Sequence, residues 1–199
     1  MVTKIQTDAI GLATFLLVCG GWIFFGLVFW LRRKSPKVEE AKRAPAARWG
    51  IVLQGVGFAE VWTFRRSQWW PFPPSVGGEL LLATAAVALA WASSFWCLAS
   101  VRTLGKQWAY QARVIKGHEL ITAGPYKIVR NPIYLGMFGM MLSTGLAYST
   151  WWALLAGIIP FLIGVQIRIT AEEKLLRESF GSQFDDYARR VPAFVPRIP

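Results

Sequence analysis

Histidine is nearly absent from this chain, and cysteine is scarce. One histidine, His118, and two cysteines, Cys19 and Cys97, occur in 199 residues. A zinc or related metal centre takes three or four nitrogen and sulfur ligands at close spacing, so no metal site is expected. Both cysteines fall inside apolar runs and are expected as buried thiols rather than a disulfide. Acidic residues are few as well: 11 Asp and Glu stand against 22 Lys and Arg, for a net charge of +11. There is no glycine-rich dinucleotide fingerprint after a strand. Gly55-x-Gly57 lies within an apolar run, where helix packing is the simpler role. No internal repeat is evident.

Charge is also missing over long stretches. Ala9–Leu31, Leu80–Val101 and Asn131–Ile167 carry no Asp, Glu, Lys or Arg. Runs of this length place the chain among membrane proteins. The first is followed by Arg32-Arg33-Lys34, a stop-transfer pattern; a signal peptide would have a shorter apolar core and a cleavage site. Trp49–Phe64 is a shorter apolar run with Glu60 near its end. Glu60 is either a functional group in the membrane or a snorkelling partner of Arg65. Arg65–Glu79 holds Trp69, Trp70, Phe72 and three prolines, Pro71, Pro73 and Pro74, and reads as an interfacial loop. Asn131–Ile167 is too long for one crossing of a core about 30 Å thick. It divides into two spans at Tyr148-Ser149-Thr150. Gly136, Gly139 and Ser143 share one face of the first, which favours close packing of the two as a hairpin. Ala83, Ala86 and Ala90 offer a similar approach on the third span. Pro160 is a candidate kink.

The expected fold class is therefore all-α: a polytopic transmembrane bundle of about five spans in a single domain, 1–199. Residues 1–101 supply three helices. Residues 102–199 supply a polar loop region, a helical hairpin and a C-terminal helix and tail. Of the 22 basic residues, Arg32–Arg48 holds seven, Arg102–Asn131 six and Arg168–Pro199 six. With five spans these three segments share one side, which the positive-inside rule assigns to the cytoplasm. The N-terminus is then outside and the C-terminus inside. Basic loops flanking apolar spans point to anionic lipid headgroups as partners rather than nucleic acid.

Polar and conformationally special residues crowd into His118–Tyr134, HELITAGPYKIVRNPIY. Gly124-Pro125 marks a turn. Pro132 disfavours helix at Asn131 and suits a helix start. A donor-rich loop running into a helix N-terminus presents backbone N–H groups and a positive dipole end, which suits a small polar or anionic ligand. The same loop would also serve as a basic connector lying on lipid headgroups. Further on, Arg168 and Glu172 stand four apart, on one face of a helix leaving the membrane. They make either a plain surface ion pair or a clamp for a substrate carboxylate and an ammonium group.

These motifs carry a resemblance. H-x-L-x-T-x-G-x-Y, then V-R-N-P-x-Y-x-G, then Arg168 with Glu172-Glu173 and SFGSQFDDYARRVPAFVPRIP resemble the isoprenylcysteine carboxyl methyltransferase family. These are integral-membrane enzymes that use S-adenosylmethionine. The match covers about Gln111 to Pro199. It implies cofactor contacts at Gln111, His118, Glu119, Leu120, Ile121, Tyr126, Arg130, Asn131, Pro132, Ile133, Tyr134 and Glu172. It assigns substrate contact to Arg168, with Arg168 and Glu172 as the catalytic pair. Asn131 departs from the pattern, which usually has His; Asn keeps a donor and an acceptor but cannot titrate near neutrality. The implied activity is methyl transfer to a hydrophobic membrane-resident acceptor, an isoprenylcysteine-like carboxylate. Alternatives are a phospholipid amine such as phosphatidylethanolamine or a small thiol and, more distantly, a non-enzymatic lipid-binding protein. The lipid-like or prenylated substrate would enter from the bilayer.

Overall fold

The structure, a computed structural model, describes residues 2–32, 40–43, 47–65, 76–105, 113–115 and 119–196. Six α-helices run among them: α1 Val2–Arg32, α2 Ala47–Thr63, α3 Val76–Leu104, α4 Pro132–Ala147, α5 Trp151–Phe180 and α6 Ser182–Arg190. The architecture is the expected all-α bundle. Its two-stranded sheet is an antiparallel ladder of β1, Glu40–Arg43, with β2, Arg113–Ile115. That ladder joins two segments expected only as loops.

Among the described residues three helical segments are long and apolar enough to cross a membrane: Ala9–Leu31, Val76–Leu104 and Trp151–Phe180. The five expected spans coincide with α1 to α5, but α2 has 17 residues and α4 has 16. At 1.5 Å per residue each falls a little short of a hydrocarbon core about 30 Å thick. Two boundaries also move. α3 begins at Val76, so Glu79 belongs to its first turn and not to the preceding loop. α5 continues unbroken through Arg168 to Phe180, with Pro160 inside it.

Packing follows the small residues. α1 meets α3 where a β-carbon on Gly21 would lie 3.2 Å from that of Ala90, and Ser94 Oγ donates to the Gly21 carbonyl at 3.1 Å. α3 meets α4 through the Gly136–Gly139–Ser143 face. A β-carbon on Gly136 would lie 2.3 Å from Cys97 Sγ, one on Gly139 would lie 2.1 Å from Ser93 Oγ, and Ser143 Oγ donates to the Ala86 carbonyl at 2.8 Å. The sequence pattern assigned this face to the α4–α5 hairpin; it faces α3 instead. The reason is that α5 has its own small residues and gives them to α2. Gly57 and Gly157 approach so closely that a β-carbon on Gly57 would stand 2.5 Å from the Gly157 carbonyl oxygen. Gly50 and Gly164 repeat the contact seven residues along each helix, at 2.6 Å. Such backbone approach is how helices gain contact where lipid supplies no hydrophobic drive.

The hairpin is therefore splayed. α4 leans on α3 and α5 on α2. The seam between them is filled by a buried cluster of Val61, Tyr134, Met141, Leu154, Phe161, Val165 and Ile169. At the far end Thr150 N–H donates to the Phe64 carbonyl at 3.0 Å and ties the α4–α5 turn to the end of α2.

Candidate functional site

The site is built at the end of the seam where α4 begins and α5 leaves the bundle. Gly124, at φ +57°, opens a 3₁₀ turn over Gly124–Lys127. Pro132 then starts α4, as its fixed φ and missing N–H favour. Tyr134 is thereby pointed across the seam in the first turn of α4. Arg168 and Glu172 are one turn apart on α5, as their spacing required.

The three side chains meet. Tyr134 Oη donates a short hydrogen bond to Glu172 Oε1. Arg168 Nη2 donates to the same oxygen at 3.3 Å. The Arg168 guanidinium also lies over the Tyr134 ring, 5.1 Å from its centre, a favourable cation–π position. The side chains of Arg168 and Glu172 are 11% and 27% exposed, so this is not the freely solvated pair that contributes almost nothing. Glu172 Oε2 accepts no hydrogen bond among the described residues. Arg168 reaches its place because position 50 is glycine: a β-carbon there would lie 2.4 Å from Arg168 Cγ. Gln54, one turn along α2, is buried beside Gly164, and its Nε2 has no partner among the described residues.

A second network lies alongside. Arg130 pairs with Glu173 through two bonds, Nε to Oε1 at 2.9 Å and Nη2 to Oε2 at 3.0 Å. Its Nη1 donates to the carbonyls of Ala188, at 2.9 Å, and Val191. Asn131 Nδ2 donates to Glu173 Oε1 at 3.2 Å and to the Ala193 carbonyl at 2.9 Å. The backbone joins in: Arg130 N–H donates to the Pro192 carbonyl at 2.8 Å and Asn131 N–H to that of Ala193 at 3.1 Å. The tail is clasped to the mouth of α4. The side-chain donors of Arg130 and Asn131, both expected at the cofactor, are directed to the tail and to Glu173. An amide, with two N–H donors on one nitrogen, can hold two acceptors at once.

Tyr126 is buried beneath α6, where Tyr187 Oη donates to its carbonyl at 2.7 Å. Burial, helped by the nearby Glu172 charge and Tyr187, pushes the Tyr126 hydroxyl well above its ordinary pKa. Burial also pushes Tyr187 up to about 12; Arg130 opposes the shift and Glu173 adds to it. Both shifts favour the protonated phenol, and Tyr187 uses its proton as a donor. Glu119 is exposed and Leu120 and Ile121 half-buried on the approach to the turn, and Ile133 packs against the Val28–Val101 cluster. Gln111 and His118 lie outside the described residues.

The structure thus brings Tyr134, Arg168 and Glu172 together, and Arg130, Asn131 and Glu173 beside them. Sequence reasoning assigned no role to Gly50, Gln54 or Phe194 and left Glu173 as an adjunct of Glu172. The seven-residue spacing of Gly50 and Gly57, matched by Gly157 and Gly164, was the available signal for the first. Among the described residues no cluster of three His, Cys, Asp or Glu could hold a metal ion.

The chain resembles known proteins over half of its length or less. It is 38% identical over 102 residues to a nickel-cobalt-cadmium resistance protein of Alcaligenes xylosoxydans xylosoxydans, covering 50% of this chain and 46% of that protein. It is 34% identical over 84 residues to protein-S-isoprenylcysteine O-methyltransferase of Schizosaccharomyces pombe, covering 42% and 36%. It is 34% identical over 94 residues to methanethiol S-methyltransferase 2 of Bradyrhizobium diazoefficiens, covering 45% and 34%. The chain therefore spans about half or less of the length of these relatives. The second of them carries the activity of the family that the sequence motifs resemble. The family described as phospholipid methyltransferase matches residues 81–183, just over half of the chain; this part holds most of α3, all of α4 and α5, and the residues Arg130, Asn131, Tyr134, Arg168, Glu172 and Glu173, while the tail that Arg130 and Asn131 clasp lies beyond it. By that match the chain belongs to the phospholipid methyltransferase family.

Proposed function

We propose that this protein transfers a methyl group from S-adenosylmethionine to a hydrophobic acceptor resident in the membrane, with the carboxylate of an isoprenylcysteine-like molecule as the acceptor group. The observation that carries the proposal is the Arg168–Glu172–Tyr134 cluster at the polar end of an apolar seam. It sets a guanidinium and a carboxylate side by side, complementary to an acceptor carboxylate and a cofactor ammonium group.

The donor set fits the cofactor. Glu172 offers Oε2 to an ammonium group while Tyr134 and Arg168 hold Oε1. Glu119, Leu120, Ile121 and Pro132–Tyr134 would line the rest, with Gln111 and His118 assigned there by the motif. When bound, S-adenosylmethionine supplies a methyl group on a positively charged sulfur. Arg168 orients the acceptor carboxylate by charge and by its planar fork. Buried Gln54, whose Nε2 has no partner among the described residues, supplies a further donor from α2. The bundle excludes water and fixes alignment, which is where most of the rate gain arises in a direct displacement.

The acceptor carboxylate is already ionised at neutral pH, so its oxygen attacks the methyl carbon with no proton to remove. That matches the residues present. Of the carboxylates that could act as a base, Glu173 has both oxygens bonded to Arg130 and Glu172 is assigned to the cofactor's ammonium group, and Asn131 does not titrate. An amine or thiol acceptor must lose a proton and would want a base. The N-terminus outside, with the site and C-terminus cytoplasmic, remains the orientation supported by the distribution of basic residues.

The test is calorimetric binding of S-adenosylmethionine and S-adenosylhomocysteine to detergent-purified protein, followed by methyl transfer to a farnesylcysteine analogue. Glu172→Ala should weaken cofactor binding. Arg168→Ala should raise acceptor KM or abolish turnover with cofactor binding largely kept. A folded protein that binds neither compound would refute the proposal. Turnover with methanethiol or phosphatidylethanolamine, but not the farnesylcysteine analogue, would replace the acceptor.

A further inference from the structure

The C-terminal segment does more than end the chain. Its residues Ala193 and Phe194 turn back into the bundle and pack against the buried cluster that contains Tyr134, Val165 and Ile169. The Phe194 ring stands 6.0 Å from that of Phe138, one turn along α4 from Tyr134. Because α4 leans on α3 and α5 on α2, the seam between α4 and α5 is where the two helix pairs meet. Phe194 fills part of it, beside the residues that bridge it.

We propose that Phe194 is a specificity-determining residue that forms one wall of the acceptor's apolar chain site, and that Glu173 is the positioning residue that sets this wall through Arg130 and Asn131. The inference rests on the acceptor site proposed above. Each step of the linkage is a contact. Glu173 fixes the Arg130 guanidinium by two bonds and the Asn131 amide by a third. Arg130 and Asn131 then hold the carbonyls of Val191, Pro192 and Ala193. The residue after the last clasped carbonyl is Phe194. A clasp of charge-assisted bonds at the mouth thus decides how deep the ring reaches and how much of the seam an acceptor chain can occupy. Glu172 and Glu173, adjacent in sequence, divide the work: one faces the reacting groups and the other holds the wall.

The experiment measures kcat/KM of the full-length protein for a series of S-alkylated and S-prenylated cysteine analogues of increasing chain length. S-adenosylhomocysteine affinity is determined in parallel by calorimetry. Phe194→Ala should shift the preference toward longer chains, by about tenfold between neighbouring sizes, the discrimination an apolar pocket yields for small changes in fit. Phe194→Leu should fall between, and cofactor-analogue affinity should stay the same in both. Glu173→Gln should shift the preference in the same direction and add nothing once position 194 is alanine. An unchanged chain-length preference in both Phe194 variants, or a cofactor affinity that moves in step with it, overturns the inference. So does a full additional effect of Glu173→Gln in the Phe194→Ala background. A wild-type protein that binds no cofactor, or methylates no member of the series, overturns the acceptor site and the wall together.

Discussion

Gly50→Ala tests whether α2, which lies outside the family match, helps to place Arg168. The added methyl carbon would lie 2.4 Å from Arg168 Cγ, 3.3 Å from its Cδ and 2.6 Å from the Gly164 carbonyl oxygen. The arginine stem can swing away; the carbonyl belongs to a helix backbone and cannot. Overpacking of this kind costs about 1–3 kcal/mol, set against the roughly 1 kcal/mol by which alanine exceeds glycine in helix preference. Two companions separate packing from positioning. At Gly57 an alanine would lie 2.5 Å from the Gly157 carbonyl oxygen and 2.9 Å from Phe161 Cβ, away from Arg168. At Gly55 it would meet nothing within 4 Å. Thermal unfolding followed by tryptophan fluorescence should therefore show Gly50→Ala and Gly57→Ala less stable than wild type and Gly55→Ala equal or better. Acceptor KM should rise only for Gly50→Ala. A displaced charge-assisted contact is worth about 1.5–3 kcal/mol, so the rise should be roughly tenfold or more. In an Arg168→Ala background Gly50→Ala should add no further loss, since two residues acting on one contact are not additive. Equal KM in Gly50→Ala and Gly57→Ala would refute the positioning role.

Two further outcomes follow from the tail clasp and from α6. Arg130→Lys keeps the charge but cannot span Glu173, Ala188 and Val191 at once. It should destabilise the protein by about 2 kcal/mol or more, seen as lower thermal stability and faster proteolysis of the tail, because buried acceptors and a carboxylate lose their donors. Tyr187→Phe should cost about 1 kcal/mol through loss of its bond to the Tyr126 carbonyl. It should also blunt alkaline unfolding. The Tyr187 pKa is raised to about 12 in the folded protein, so its contribution is fully present below the unfolded value near 10. It is lost as pH rises through about 12. Wild type should weaken across that window in a pH titration of stability, and Tyr187→Phe by less; identical curves would contradict the assignment.

Charge-free runs, their lengths and the basic segments between them were enough to determine an all-α membrane architecture. Proline at 132 and glycine at 124 located a helix start and a turn, because each removes backbone options whatever surrounds it. The Arg168–Glu172 pair was legible because four residues make one turn of a continuous helix. The partners of each helix were not legible. Gly136, Gly139 and Ser143 announce a close contact but not with whom, and packing on α3 instead of α5 was settled by the competing claim of Gly50 and Gly57 on α5. Neither were the roles of the two adjacent glutamates. Successive positions on a helix differ by about 100°, so Glu172 and Glu173 face different neighbours, and only the arrangement of α4 and the tail decided which one meets Tyr134 and which holds Arg130. Periodicity and backbone chemistry act locally and are written in the chain; the choice among several complementary surfaces is made by all of them at once, in three dimensions.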